Sequence, residues 1–94
     1  MLTFEWDAKK NKQNQQKHGV SFTEASTVFG DPFSIVFADP DHSTEEERFL
    51  IVGHSYKERL LIVSFTERSH HIRIISARKL TAREQRDYEE VISK

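Results

Sequence analysis

Three apolar runs crowd the second half of the chain: Phe49-Leu50-Ile51-Val52, Leu60-Leu61-Ile62-Val63-Ser64-Phe65 and Ile72-Arg73-Ile74-Ile75-Ser76-Ala77. Each is rich in β-branched or aromatic residues, and short polar turns separate them, Ser55-Tyr56-Lys57-Glu58 and then residues 67–71. Runs of that length and spacing predict consecutive strands joined as an antiparallel meander. Their interiors are apolar at successive positions, which predicts a sheet covered on both faces near its centre. With 94 residues, everything else must be built around that sheet as one domain.

The flanking segments supply the cover. Leu2-Thr3-Phe4-Glu5-Trp6 alternates apolar and polar residues and predicts a short strand that sends Leu2, Phe4 and Trp6 into the core. Asp7 can cap a helix over residues 8–17, closed by His18 and Gly19. That helix is polar nearly all round, so it belongs on the surface. Ser21-Phe22-Thr23-Glu24 reads as a capping box, with Val20 and Ala25 as its staple, opening a short helix that stops at Gly30. Strands are expected over 33–38 and 46–54. Thr81-Ala82-Arg83-Glu84 is a second capping box, opening a helix to about residue 92 with Tyr88, Val91 and Ile92 on one side. The order β-α-α-β-β-β-β-α defines an α+β fold with an antiparallel sheet.

Composition excludes several chemistries. The chain has no cysteine, hence no disulfide framework, thiolate nucleophile or cysteine zinc site. Residues 1–6 are too short for a signal peptide and lysines follow at once, so a cytoplasmic location is expected. No apolar run approaches the roughly 20 residues of a membrane span. In the turn Asp39-Pro40-Asp41-His42 three residues could ligate a metal, but the spacing is too loose for a calcium loop and no metal site is expected. The formal net charge of -1 hides a separation of signs. Every charged residue from Asp31 to Glu47 is acidic. Arg68, Arg73, Arg78, Lys79, Arg83 and Arg86, by contrast, are opposed locally only by Glu67 and Glu84. A basic face could hold a polyanion, or the two sets could pair within the fold.

Several strings in the chain are characteristic in combination. Phe4-Glu5-Trp6-Asp7, Lys17-His18-Gly19-Val20-Ser21-Phe22, Glu24-Ala25, Phe29, Glu47-Arg48, Gly53, Arg73-Ile74-Ile75-Ser76-Ala77-Arg78, Glu84 and Tyr88 resemble the BrnT family over essentially the whole chain. The resemblance implies a RelE-like fold and a type II toxin, a ribonuclease that inhibits translation and growth. It also implies a BrnA-like antitoxin of the ribbon-helix-helix class in a hetero-oligomer, with operator DNA reached only through that antitoxin, and no cofactor or membrane.

Cleaving RNA without a metal requires activation of the 2′-hydroxyl, neutralisation of phosphorane charge and protonation of the 5′-oxygen. Histidine and glutamate can move the protons, and an arginine fork can brace the oxygens. Arg73, Arg78, Glu67, His54 and Glu47 are therefore the candidate catalytic residues. Lys17, His18, Arg48, Arg68 and Lys79 are the candidate RNA-binding residues. His70 and His71 fall in a turn, where exposed polar residues are expected without any function. Arg73 and Arg78 differ by an odd number, so a regular strand would point them to opposite faces, and only a bulge would change that. A non-catalytic nucleic-acid-binding module and a protein-interaction domain are the alternative readings.

Overall fold

The computed structural model describes residues 2–41 and 46–93. The elements follow the expected order: β1 (Thr3–Glu5), α1 (Ala8–His18), α2 (Phe22–Ser26) running into a 3-10 turn (Thr27–Gly30), β2 (Ile35–Ala38), β3 (Phe49–His54), β4 (Leu60–Arg68), β5 (His71–Lys79) and α3 (Ala82–Ile92). β2 through β5 form the antiparallel meander. β1 is the exception: it pairs with β5 in parallel, so the five-stranded sheet, ordered β1-β5-β4-β3-β2, is mixed. No local pattern in a three-residue strand could announce a partner near residue 72.

The helix ends are fixed by side chains where the sequence places them. Asp7 accepts from the amides of Lys9 and Lys10, and Gly19 closes α1 in the left-handed region at φ 69°. Thr81 and Glu84 make both halves of a capping box. The Ser21 hydroxyl accepts from the Glu24 amide as expected, but the Glu24 carboxylate turns away from the cap. It lies buried, receiving the Ser55 hydroxyl at 2.7 Å and the guanidinium of Arg59, whose Nε donates at 2.8 Å. Glu24 thereby ties α2 to the start of β4 rather than finishing its own helix.

Val20, Phe22, Ala25 and Val28 pack on Ile51, Leu61, Val63, Phe65, Ile72, Ile74 and Ala77, with Phe4, Trp6, Phe29 and Phe49 at the margin. α2 and the 3-10 turn thus cover one face of the sheet. Leu2, expected inside, is 54 % exposed. α1 lies along the part of the β5 edge that three-residue β1 leaves open. There Asn14 imitates a strand, its carboxamide oxygen accepting from the Ala77 amide at 3.1 Å and its nitrogen donating to the Ala77 carbonyl at 2.8 Å. A buried asparagine satisfied this way supplies what edge backbone groups require.

α3 sits on the opposite face and covers only part of it. Tyr88 is buried beneath it and donates to the Phe33 carbonyl at 3.2 Å, whereas Val91 and Ile92, expected to dock, are exposed. An apolar cavity of about 260 Å3 remains between α3 and the sheet, floored by Ile35, Phe37, Val52 and Ile62.

One irregularity decides what the rest of that face presents. On β5, Ser76 pairs with Ser64 and Ile74 with Phe65, so Ile75 has no counterpart on β4. This bulge shifts the alternation by one residue. Ile72 and Ile74 point to the core before it and Ala77 after it. Arg73 and Arg78 therefore project from the same face, aligned with Thr66 and Ile62 of β4. The regular-strand expectation of opposite faces is overturned.

Candidate nucleic-acid interface

The face left open by α3 carries the groups that chemistry on a phosphodiester needs. Thr3 and Glu5 of β1 stand in register with His71 and Arg73 of β5, and Arg68 and Thr66 of β4 stand in register with the same two. Because Phe4 and Ile72 point to the core, their neighbours Thr3, Glu5, His71 and Arg73 all point away from it. Thr66 is buried at the floor, its hydroxyl donating to the Glu47 carbonyl at 2.9 Å and so holding the segment before β3 that carries Arg48. Beside this cluster lies a depression of about 360 Å3, lined by Arg48, Leu50, Ile62, Ser64, Ile75, Ser76 and Arg78 with Asp39 and Asp41 at one side. Its bottom is small hydroxyls and apolar side chains; its rim is charged.

The arginines differ in how firmly they are held. Arg78 grips Glu84 with both arms, Nη1 to Oε1 at 2.8 Å and Nη2 to Oε2 at 3.0 Å, and also donates to the Lys79 carbonyl at 3.1 Å. This fork joins β5 to the first turn of α3 and is geometrically specific. Arg68 meets Glu46 at 3.0 Å, joining the basic stretch to the acidic one. Arg73 is loosest: its Nη1 stands 3.8 Å from Glu5 Oε2, beyond hydrogen-bond length, with its side chain 29 % exposed. Of the paired arginines it has the most freedom to turn toward an incoming anion.

The Arg78 fork and the Thr81 amide hold the Glu84 carboxyl down to about 2, against an ordinary value of 4.5. A carboxylate whose folded pKa is depressed contributes stability above its unfolded value and loses it as pH falls through the folded value. The stability difference between the native protein and a Glu84→Gln variant should therefore be constant above pH 4.5 and close as pH drops toward about 2. Urea midpoints across that range measure it. A gap that persists at pH 2 would mean the fork contributes through shape rather than charge.

The remaining candidates lie elsewhere. His54 is on the same face as Arg73 but pairs with Leu60, whereas Arg73 aligns with Thr66. At about 3.3 Å per residue, six positions of β4 put them roughly 20 Å apart. His54 is instead engaged at the α3 end, its amide donating to Asp31 Oδ2 at 2.7 Å and its ring 6.2 Å from that of Tyr88. Glu67 and Lys79 pair with Ile72 and Leu61, so both alternate onto the core side, exposed near the strand ends. Lys17 and His18 immediately precede Gly19, whose carbonyl accepts from Arg59 at the far end of β4. Glu47 contributes its carbonyl while its residue is exposed. Of the turn read for metal donors, Asp39 and Asp41 line the depression and His42 lies outside the described residues. Glu5, and His71, one of the histidines able to move a proton, also stand on this face beside Arg73. In the sequence Glu5 reads as an alternating strand residue, and His71 as part of a turn.

The chain is similar in fold to the 1.1 Å crystal structure of the Brucella abortus ribonuclease toxin BrnT, with a TM-score of 0.66 and 20 % identity. The match covers 86 % of this chain and 99 % of that one. Among curated proteins no sequence matches significantly. The class defined by fold and face is thus that of a small α+β domain with an open basic sheet surface. The sequence model for the ribonuclease toxin, BrnT, of type II toxin-antitoxin systems matches residues 6–84, and the chain belongs to that family. A type II toxin implies an antitoxin partner. No helix among the described residues is long and apolar enough to cross a membrane.

Proposed function

We propose that this toxin cleaves RNA on the open face of its sheet, without a metal ion, by attack of the 2′-hydroxyl on the adjacent phosphorus. The observation that carries this reading is the bulge at Ile75, which gathers Arg73 and Arg78 on one face beside Arg48 and Arg68. Several guanidinium groups around one groove are suited to phosphate oxygens. Charge built up on a phosphorane is stabilised most by donors already in place. Arg73 is assigned to the reacting phosphate because its present partner is distant. Arg48 and Arg68 are assigned to flanking phosphates, and Arg78 to holding the wall of the groove through Glu84. Translation and growth stop because messages are cut.

The partner is an antitoxin of the ribbon-helix-helix class, and operator DNA is bound through it. Here the support is the family resemblance alone. An antitoxin that covers Arg48 and Arg73 with acidic residues would neutralise the toxin by occupying the phosphate sites.

The test is incubation of antitoxin-free protein with a defined RNA in excess EDTA, resolving fragments and their ends. Expected products carry 2′,3′-cyclic phosphate and 5′-hydroxyl ends. Intact RNA, with binding that falls steeply as salt rises, would indicate a phosphate-binding module instead. Neither cleavage nor binding would point to a protein-interaction domain.

A further inference from the structure

We infer that Glu5 and His71 are the proton-transfer pair of this site, flanking Arg73 on the open face of the sheet. The assignment deepens the ribonuclease reading above and rests on it.

The case begins with Thr3. Its hydroxyl donates to the His70 carbonyl at 3.0 Å and lies 2.7 Å from His71 Nδ1. A hydroxyl has one proton. With that proton on the carbonyl, which can only accept, Thr3 Oγ1 accepts from the imidazole. In that arrangement Nδ1 carries hydrogen and Nε2 is the nitrogen left for the substrate. Fixing one ring nitrogen with a hydrogen bond is how proteins select the working tautomer and hold the ring's orientation. For an exposed histidine at a strand end that degree of constraint calls for a reason.

The second part is register. Thr3 pairs with His71 and Glu5 with Arg73 across the parallel β1–β5 ladder, so these four side chains form a square on one face. With strands about 4.8 Å apart and about 3.3 Å per residue, Glu5 and His71 stand on a diagonal of about 8 Å between Cα atoms. On this assignment the phosphodiester lies between them, its entering and leaving oxygens on opposite sides of phosphorus and its non-bridging oxygens toward Arg73. Arg68, in register with His71 on β4, closes the square from the other side. The charged groups around the imidazole thus include Glu5, Arg73 and Arg68, the last paired with Glu46.

The step balances as a transesterification. The Glu5 carboxylate takes the proton of the 2′-hydroxyl. The 2′-oxygen forms its bond to phosphorus as the bond to the 5′-oxygen breaks, and the His71 Nε2 proton goes to the departing oxygen. The products are a 2′,3′-cyclic phosphate and a 5′-hydroxyl, and solvent restores both protonation states.

Two substrates separate this role from a structural one: a short RNA, whose alkoxide leaving group needs a proton, and an aryl ester of a nucleoside 3′-phosphate, whose phenolate does not. His71→Gln should slow RNA cleavage about 100-fold or more and barely affect the aryl ester, in keeping with the usual contribution of a general acid. Its pH–rate profile should lose the alkaline fall. Glu5→Gln should slow both substrates and lose the acid limb. A His71→Gln protein that cuts RNA at the native rate, or slows equally on both substrates, overturns the assignment. A native protein inert toward both substrates would sink the ribonuclease reading itself, and this assignment with it.

Discussion

Replacing Arg73 with alanine is expected to lower RNA cleavage by about 10²–10³-fold while leaving the melting temperature within a few degrees of the native value. The size follows from removing one cationic donor from developing negative charge. The small effect on stability follows from geometry: the 3.8 Å contact to Glu5 is partly solvated, and partly exposed ion pairs of that kind contribute little. Arg78→Ala should behave differently, losing stability because it frees Glu84 and the first turn of α3. Cleavage kinetics and thermal melts on both purified variants make the comparison. If Arg73→Ala cuts RNA normally, the reacting phosphate is not on this face. If it melts far lower, the residue belongs to the scaffold.

The largest effect on stability is expected at Arg59. Glu24 is 1 % exposed, and its charge is met by the Arg59 guanidinium and the Ser55 hydroxyl, which together hold its carboxyl below the ordinary value despite burial. Breaking a buried pair from one side costs about 3–5 kcal/mol, because the survivor is left uncompensated. Here the two sides are unequal. Arg59 keeps 28 % of its side chain in solvent, so losing Glu24 leaves a cation that water can reach. Losing Arg59 leaves a carboxylate with no such exit. Arg59→Met should therefore destabilise more than Glu24→Gln. For a domain of this size the Arg59 variant should melt on the order of 15 °C lower, or more. Equal losses in the two variants would show that hydrogen-bond geometry, not stranded charge, sets the cost.

Much of the scaffold is legible in the sequence because it is encoded locally. Asp7, Gly19, Thr81 with Glu84, and the three apolar runs each carry their structural meaning within a few residues. What escapes such reading is encoded at a distance. Glu24 has the spacing of a capping-box residue, and only the arrival of Arg59, 35 positions later, draws it elsewhere. The parallel pairing of β1 leaves no mark in Thr3-Phe4-Glu5, and without it His71 looks like one more polar residue in a turn. The bulge at Ile75 is hidden for a different reason. Ile-Ile-Ser-Ala reads equally well as a regular strand, and whether Ile74 and Ala77 both face inward depends on what α2 offers them. The basic excess was visible; the alignment of Arg68, Arg73 and Arg78 on one face was not.

The pairing of β1 with β5 also has a consequence for synthesis. Thr3 and His71 are 68 positions apart, whereas the other strands of the sheet join through much shorter connections. Bringing such distant segments together carries the largest loop-closure entropy of any pairing in the sheet, and non-local contacts of this kind form slowly. The meander can assemble while the first strand is still loose, yet Glu5 cannot then stand beside Arg73. On the reading offered here, a partly folded toxin is a harmless one. Its activity appears only when the first and last strands of the chain meet, a built-in delay in which a partner protein can arrive first.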